Sequence, residues 1–178
     1  MIELRKFEIG DIDYLKLWIT DERLCCQWCA RNFIYPLDDL QLYKYISTLN
    51  DSHTNFAFTL VKKDDDIYPI GHIKIGNIDY EEKSAKLQFV LIGNRLFRGK
   101  GFGKDMVNLA IKYAFQYLEL EELDLRVYSF NTSAINCYKT LGFKEIEYID
   151  KSFQFNDEEI WDEIVMRLEK DKWKKERK

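Results

Sequence analysis

Apolar positions along the chain change period several times, and each change predicts an element. Residues 2–7 read as a strand with Ile2 and Leu4 on one face. A helix opens at Asp11 or Asp13 and runs through Trp18, and a second begins at Asp21 around Cys25 and Trp28. Residues 31–36 form a loop. Asp38 and Asp39 then suit the positive end of a third helix carrying Leu42, Tyr45, Ile46 and Leu49. Residues 55–61 and 70–75 predict strands joined by a turn at 63–66, and an acidic turn at 79–82 leads into a strand ending at Ile92. Gly103, Val107, Ala110, Ile111, Ala114 and Leu118 fall on one face of a helix, with Lys104, Asn108 and Lys112 on another. Residues 123–128 return to period two. Asn131 at an N-cap and Gly142 just past a C-terminus bracket a short helix. Residues 144–149 and 160–168 add two strands, and 170–178 is a charge run, read as a frayed helix in solvent. The chain shows no repeats, and the order predicts one α/β domain over residues 1–178.

The first chemical signal sits where a strand meets a helix. Leu87-Gln88-Phe89-Val90-Leu91-Ile92 is followed by Arg98-Gly99-Lys100-Gly101-Phe102-Gly103-Lys104. A strand, a basic glycine turn and a helix aim several backbone N–H groups and a helix N-terminus at an anion. Two nucleotide loops fail on spacing. A P-loop ending at Gly103-Lys104 would have Arg98 in place of its first Gly and Asp105 in place of its metal-binding hydroxyl. A dinucleotide fingerprint started at Gly99 ends on Lys104, and one started at Gly101 ends on Met106. The remaining pattern, R-x-x-G-x-G over 98–103, resembles the coenzyme A pyrophosphate loop of GNAT-type N-acetyltransferases.

A second pattern follows one strand after that helix. Asn131, Ala134, Tyr138, Gly142 and Phe143 spell N-x-x-A-x-x-x-Y-x-x-x-G-F, which resembles the last shared block of the same superfamily, in the right order. The resemblance spans roughly residues 55–168, and the first fifty residues fit by position. It implies a mixed, mostly antiparallel central sheet with helices on both faces, and acetyl-CoA as co-substrate. It further implies that the strand before the loop splays from its neighbour, leaving backbone groups free for the pantetheine arm. The implied cofactor contacts are Val90, Leu91, Ile92 and Gly93 on that strand, Arg98, Gly99, Lys100, Gly101, Phe102, Gly103 and Lys104 in the loop, and Asn131 beyond it.

Composition narrows the setting. A chain of 178 residues with 46% hydrophobic and 33% charged content can bury a single sizeable core. A net charge of −4 and a pI near 5.4 argue against nucleic acid as the main partner and suit a cationic one. The start carries no long apolar segment and no run reaches membrane-spanning length, so the expected compartment is the cytoplasm and no membrane partner is expected. Cys26 and Cys29 have zinc-like spacing but lack a second pair, so the four cysteines read as reduced thiols and no metal is expected. His53 and His72 are isolated and read as structural or exposed imidazoles.

Acetyl transfer needs three things: a held cofactor, a donor for the thioester oxygen, and proton movement. The donor is expected within residues 90–93. Tyr138 is the acid implied for the leaving thiolate, because a phenol of pKa about 10 can donate to sulfur. Some members of the superfamily carry Glu on the strand before the loop. Residues 84–89 here hold no carboxylate, and Gln88 can only orient a water, which leaves deprotonation to a water chain, to an acidic residue from another segment, or to an acceptor that arrives neutral. The resemblance puts the acceptor wall in the first two helices and their loop, where Trp28, Phe33 and Tyr35 are the implied contacts. The pattern is closest to the ribosomal-protein and spermidine acetyltransferase branch. The acceptor is therefore a small-molecule or peptide amine: an α-amine, a polyamine, an aminoglycoside or an amino sugar. A non-catalytic acyl-CoA sensor is the alternative reading, and the sequence leaves open whether the chain forms a homodimer.

Overall fold

A computed structural model describes the chain except for residues 51–52, 64–66 and 176–178. Its frame is a seven-stranded sheet in the order β1-β2-β3-β4-β5-β7-β6. The strands are β1 (Ile2–Lys6), β2 (Phe56–Lys63), β3 (Ile67–Asp79), β4 (Ser84–Ile92), β5 (Glu122–Tyr128), β6 (Lys144–Gln154) and β7 (Ile160–Glu169). Every neighbouring pair is antiparallel except β4 and β5. The predicted mixed, mostly antiparallel sheet is therefore the observed one. Helices α4 (Phe102–Lys112) and α5 (Thr132–Thr140) cover one face, and α1 (Ile12–Trp18), α2 (Glu22–Cys29) and α3 (Asp39–Asn50) pack on the other.

Two cores result, and β4 contributes to both. Leu87 joins the core under α4, whereas Phe89 and Leu91 join the core under α1–α3. Strict alternation would put all three on one face. The register explains the switch: His72 pairs with Leu91 and Lys74 with Gln88, so two residues of β4 oppose one of β3. This is a β-bulge, and Phe89 takes φ 53° within it. The same bulge bends β4 away from β5. The two pair only from Ser84–Glu122 to Leu87–Leu125, and beyond Leu87 a gap opens.

Several expectations are corrected in detail. Asp11 stands at the N-cap of α1 as predicted, but its side chain caps no helix N–H. It closes a 3₁₀ turn (Ile9–Asp11) and is buried, accepting hydrogen bonds from Arg5 (2.6 and 2.7 Å), the Glu8 N–H (2.9 Å) and the Thr59 hydroxyl (2.8 Å). Asp21 and Asp38 do cap as predicted, accepting from the backbone N–H of Leu24 and Gln41. The turn expected at 63–66 falls largely outside the described residues. Tyr113–Tyr117 leaves the α-helical path for a π-turn, which carries Phe115 and Leu120 into the core while Leu118 stays half-exposed. The charged tail is not solvent throughout: Trp173 in α6 (Lys170–Lys175) is buried against Phe115, ring centroids 5.6 Å apart. No helix among the described residues is long and apolar enough to cross a membrane.

Candidate active site

The glycine turn is built as its sequence requires. Gly99 and Gly101 have φ of 71° and 89°, a region that L side chains rarely adopt. A Cβ at either would meet nothing within 4 Å, so the space in front of the turn is open. Gly101 is the N-cap of α4 and offers no side chain to the first N–H groups of the helix, while the N–H of Asp105 already bonds the Gly101 carbonyl at 3.1 Å. The N–H groups of residues 102–104 are left for a ligand. Arg98 turns inward instead of toward that space. Its Nε donates to the Ile92 carbonyl (2.7 Å) and its Nη2 to the Gly93 carbonyl (3.2 Å), tying the loop to the end of β4.

From the turn, a cavity of about 980 Å³ follows the gap between β4 and β5. Val90, Ile92, Arg98, Gly99, Gly101, Gly103 and Lys104 line it on the loop side, Asn131 and Tyr138 from α5, and Gln88 and Trp28 at the far end. Eleven of the residues singled out in the sequence thus meet in one cavity.

The other six do not line it. Leu91 faces the second core. Gly93 is a packing glycine: a Cβ there would lie 1.9 Å from the Trp18 ring, and its N–H is spent on the Ile70 carbonyl at 3.0 Å. Because Gly93 bonds toward β3, alternation turns the backbone of Ile92 and Val90 toward the gap. Phe102 packs on Phe97 (5.4 Å), and Lys100 stands exposed in the turn. Phe33 is buried, stacked on Trp28 at 5.4 Å, and the Tyr35 hydroxyl is bound to the Thr20 carbonyl at 2.8 Å. Of the three aromatic residues implied for the acceptor, only Trp28 reaches the cavity.

Tyr138, Asn131 and Gln88 bring polar side chains into the cavity. Tyr138 is buried, its ring edge-on to Phe143, and its hydroxyl forms no hydrogen bond among the described residues. Burial first, then the neighbouring Cys137, holds the phenol above its ordinary pKa, so it stays in the protonated form that an acid needs. Asn131 caps α5 through Oδ1, which accepts from the Ala134 N–H at 3.3 Å. Its amide NH₂ is left for a ligand. Gln88 lies over Gly76, where a Cβ would sit 2.4 Å from its Oε1; that oxygen is buried without a partner. His72 takes no part, being fully buried and hydrogen-bonded to Tyr45. Among the described residues no group of three or more His, Cys, Asp or Glu side chains is arranged to hold a metal.

The far end of the cavity holds residues that the sequence did not mark. Tyr128, Arg126 and Asp124 come from β5, and Glu163 and Arg167 from β7. They sit about 40 residues apart in the chain and meet only through strand register.

The acetyltransferase (GNAT) domain family matches residues 2–144, most of the chain. The protein belongs to the GNAT acetyltransferase family. It is an acetyl-CoA-dependent N-acetyltransferase, and the open glycine turn and the splayed strands are the features that fit this co-substrate. The chain is similar to the spermidine N(1)-acetyltransferase of Vibrio cholerae, 27% identical over 157 residues, covering 87% of this chain and 86% of that one. It is also 28% identical over 153 residues to the N-acetyltransferase p20 of Bacillus licheniformis, covering 81% and 79%. The fold superposes on the crystal structure of the Vibrio cholerae spermidine N-acetyltransferase in complex with CoA and spermine, with a TM-score of 0.84, 23% identity and 97% of each chain covered.

Proposed function

We propose that this GNAT protein moves the acetyl group of acetyl-CoA directly onto the primary amine of a small cationic acceptor, with both substrates bound at once. The observation that carries this reading is the continuity of the cavity. It runs from the glycine turn, past the Tyr138 hydroxyl, to a polar end beside Trp28 and β7.

In this reading the N–H groups of residues 102–104 and the glycine turn hold the pyrophosphate, and Asn131 steadies the pantetheine arm. An N–H of Val90 or Ile92 receives charge as it grows on the thioester oxygen. Tyr138 then protonates the departing thiolate. The attacking amine must first lose a proton from an ammonium of pKa about 10.4. In this reading a chain of water in the cavity carries that proton to solvent, with Gln88 fixing the position of its first member.

Direct attack is favoured over an acetyl-enzyme. Cys29 and Cys137 both line the cavity, yet both thiols are pushed up, Cys29 chiefly by its contact with Cys25 and Cys137 by burial. Neither is a ready thiolate. Likeness to a spermidine N(1)-acetyltransferase over most of both chains makes a polyamine the first acceptor to test. Purified protein should release thiol from acetyl-CoA when spermidine is added, and acceptors should rank with their positive charge. A panel in which α-amino peptides or amino sugars turn over and polyamines do not would refute the cationic acceptor while leaving the transferase in place.

A further inference from the structure

The acceptor end of the cavity holds three carboxylates, and they are not equivalent. Asp124 is occupied, with Arg167 gripping both of its oxygens at 2.8 Å. Glu147 stands on β6, whose side chains are almost all exposed. Glu163 is different. Its side chain is only 14% exposed, and it lies on β7 directly opposite Tyr128 of β5. Directly paired residues leave a sheet on the same face, with Cβ atoms roughly 5 Å apart.

The two groups are incompletely satisfied. Oε2 of Glu163 accepts from the Ser152 hydroxyl and, at 3.4 Å, faces Arg126, whose side chain is 56% exposed. Oε1 receives no hydrogen bond among the described residues. Tyr128 is 5% exposed, and its hydroxyl is buried with no hydrogen-bond partner among the described residues. A buried hydroxyl without a partner costs free energy unless a ligand supplies one, and the open Oε1 of Glu163 can take a donor beside it. An ammonium group carries donors only, so it can satisfy both oxygens at once.

We infer that Glu163 and the Tyr128 hydroxyl together hold a charged nitrogen of the acceptor, away from the nitrogen that reacts. Glu163 is thereby the residue that selects positively charged amines. This rests on the transferase reading above and names the substrate class of the same cavity. Arg126 is the internal competitor: its guanidinium pairs with Oε2 of the carboxylate that the acceptor needs.

Steady-state kinetics with spermidine test the inference. Glu163→Gln keeps the shape and the Ser152 contact but removes the charge. KM for spermidine should rise about 10- to 100-fold, the loss expected for a hydrogen bond to a charged group, while acetyl-CoA affinity by calorimetry stays at the wild-type value. Arg126→Gln should act in the opposite direction and lower KM, which a merely structural role for Glu163 would not produce. A Glu163→Gln enzyme with wild-type KM for every amine that the parent accepts overturns this inference and leaves the transferase reading intact. A parent that acetylates no amine overturns both. If Glu163→Gln melts early, Arg126→Gln decides alone, and an unchanged or raised KM refutes the inference.

Discussion

The hydroxyl of Tyr45 and Nε2 of His72 lie 2.9 Å apart in the core between the sheet and α1–α3, where both residues are buried. The other imidazole nitrogen, Nδ1, has no hydrogen-bond partner among the described residues. Burial there outweighs the attraction of Asp11, and Lys74 adds a smaller repulsion, so the His72 pKa falls from 6.5 to about 3. The consequence is a stability that depends on pH. Between about pH 6.5 and pH 3 the unfolded chain binds a proton that the folded chain refuses, so stability falls as pH drops through that window.

For a single group the slope is about 1.4 kcal/mol per pH unit. Asp11 acts lower on the scale. Burial opposes its charge, but hydrogen bonds from Arg5, Glu8 and Thr59 outweigh it and depress its pKa below 3.8, so its contribution is lost only beneath that value. Urea titrations from pH 7 to pH 4 should therefore show a steep loss in the parent and a flatter curve in His72→Gln. Equal slopes would remove His72 from the explanation.

The glycine turn predicts a separation of binding from stability. A β-branched residue at Gly101 would suffer at φ 89° whatever the space around it. Asn tolerates the left-handed region, and the open space in front of the turn accepts its side chain. Gly101→Asn should cost at most about 1 kcal/mol in unfolding, yet weaken acetyl-CoA binding at least tenfold by filling the pyrophosphate position. Calorimetry showing parental affinity in the folded variant would mean the pyrophosphate lies elsewhere.

Asn131 has two separable jobs. As N-cap of α5 it contributes about 1 kcal/mol, and in the proposed complex its free NH₂ contacts the pantetheine arm. Asn131→Ser keeps a capping oxygen, so the melting temperature should hold while acetyl-CoA affinity falls. If both stay at parental values, Asn131 is a cap and nothing more.

Tyr138→Phe removes one hydroxyl and leaves the ring against Phe143. General acids contribute about 10²- to 10⁴-fold, so kcat should drop by at least the lower figure. The affinity for acetyl-CoA should barely change, because the interaction is made in the transition state. Turnover at the parental rate would make Tyr138 a packing residue.

What could be read along the chain depended on how local the requirement was. The loop at 98–103 and the block from Asn131 to Phe143 were legible because helix caps and positive-φ glycines impose residue types at adjacent positions. The bulge at Phe89 was not, since residues 89–92 are all apolar and carry no alternation that would show the register shift. Gly93 carried a cofactor assignment by position, but its lack of a side chain is demanded by Trp18, 75 residues earlier in the chain. Phe33 had the composition of a binding aromatic and proved to be core, as rings of that size more often are. Glu163 left no signal at all, because its meeting with Tyr128 is a matter of register between strands.

The central claim, that this cavity joins acetyl-CoA to an amine, is tested most directly by the product. The purified chain is mixed with acetyl-CoA and spermidine, the amine is analysed by mass spectrometry, and released thiol is counted in the same sample. The account predicts monoacetylated spermidine in equal amount to the thiol. Saturable binding of acetyl-CoA with no acetylated product from polyamines, α-amino peptides, aminoglycosides or amino sugars would contradict it and leave an acyl-CoA-binding protein without transferase activity.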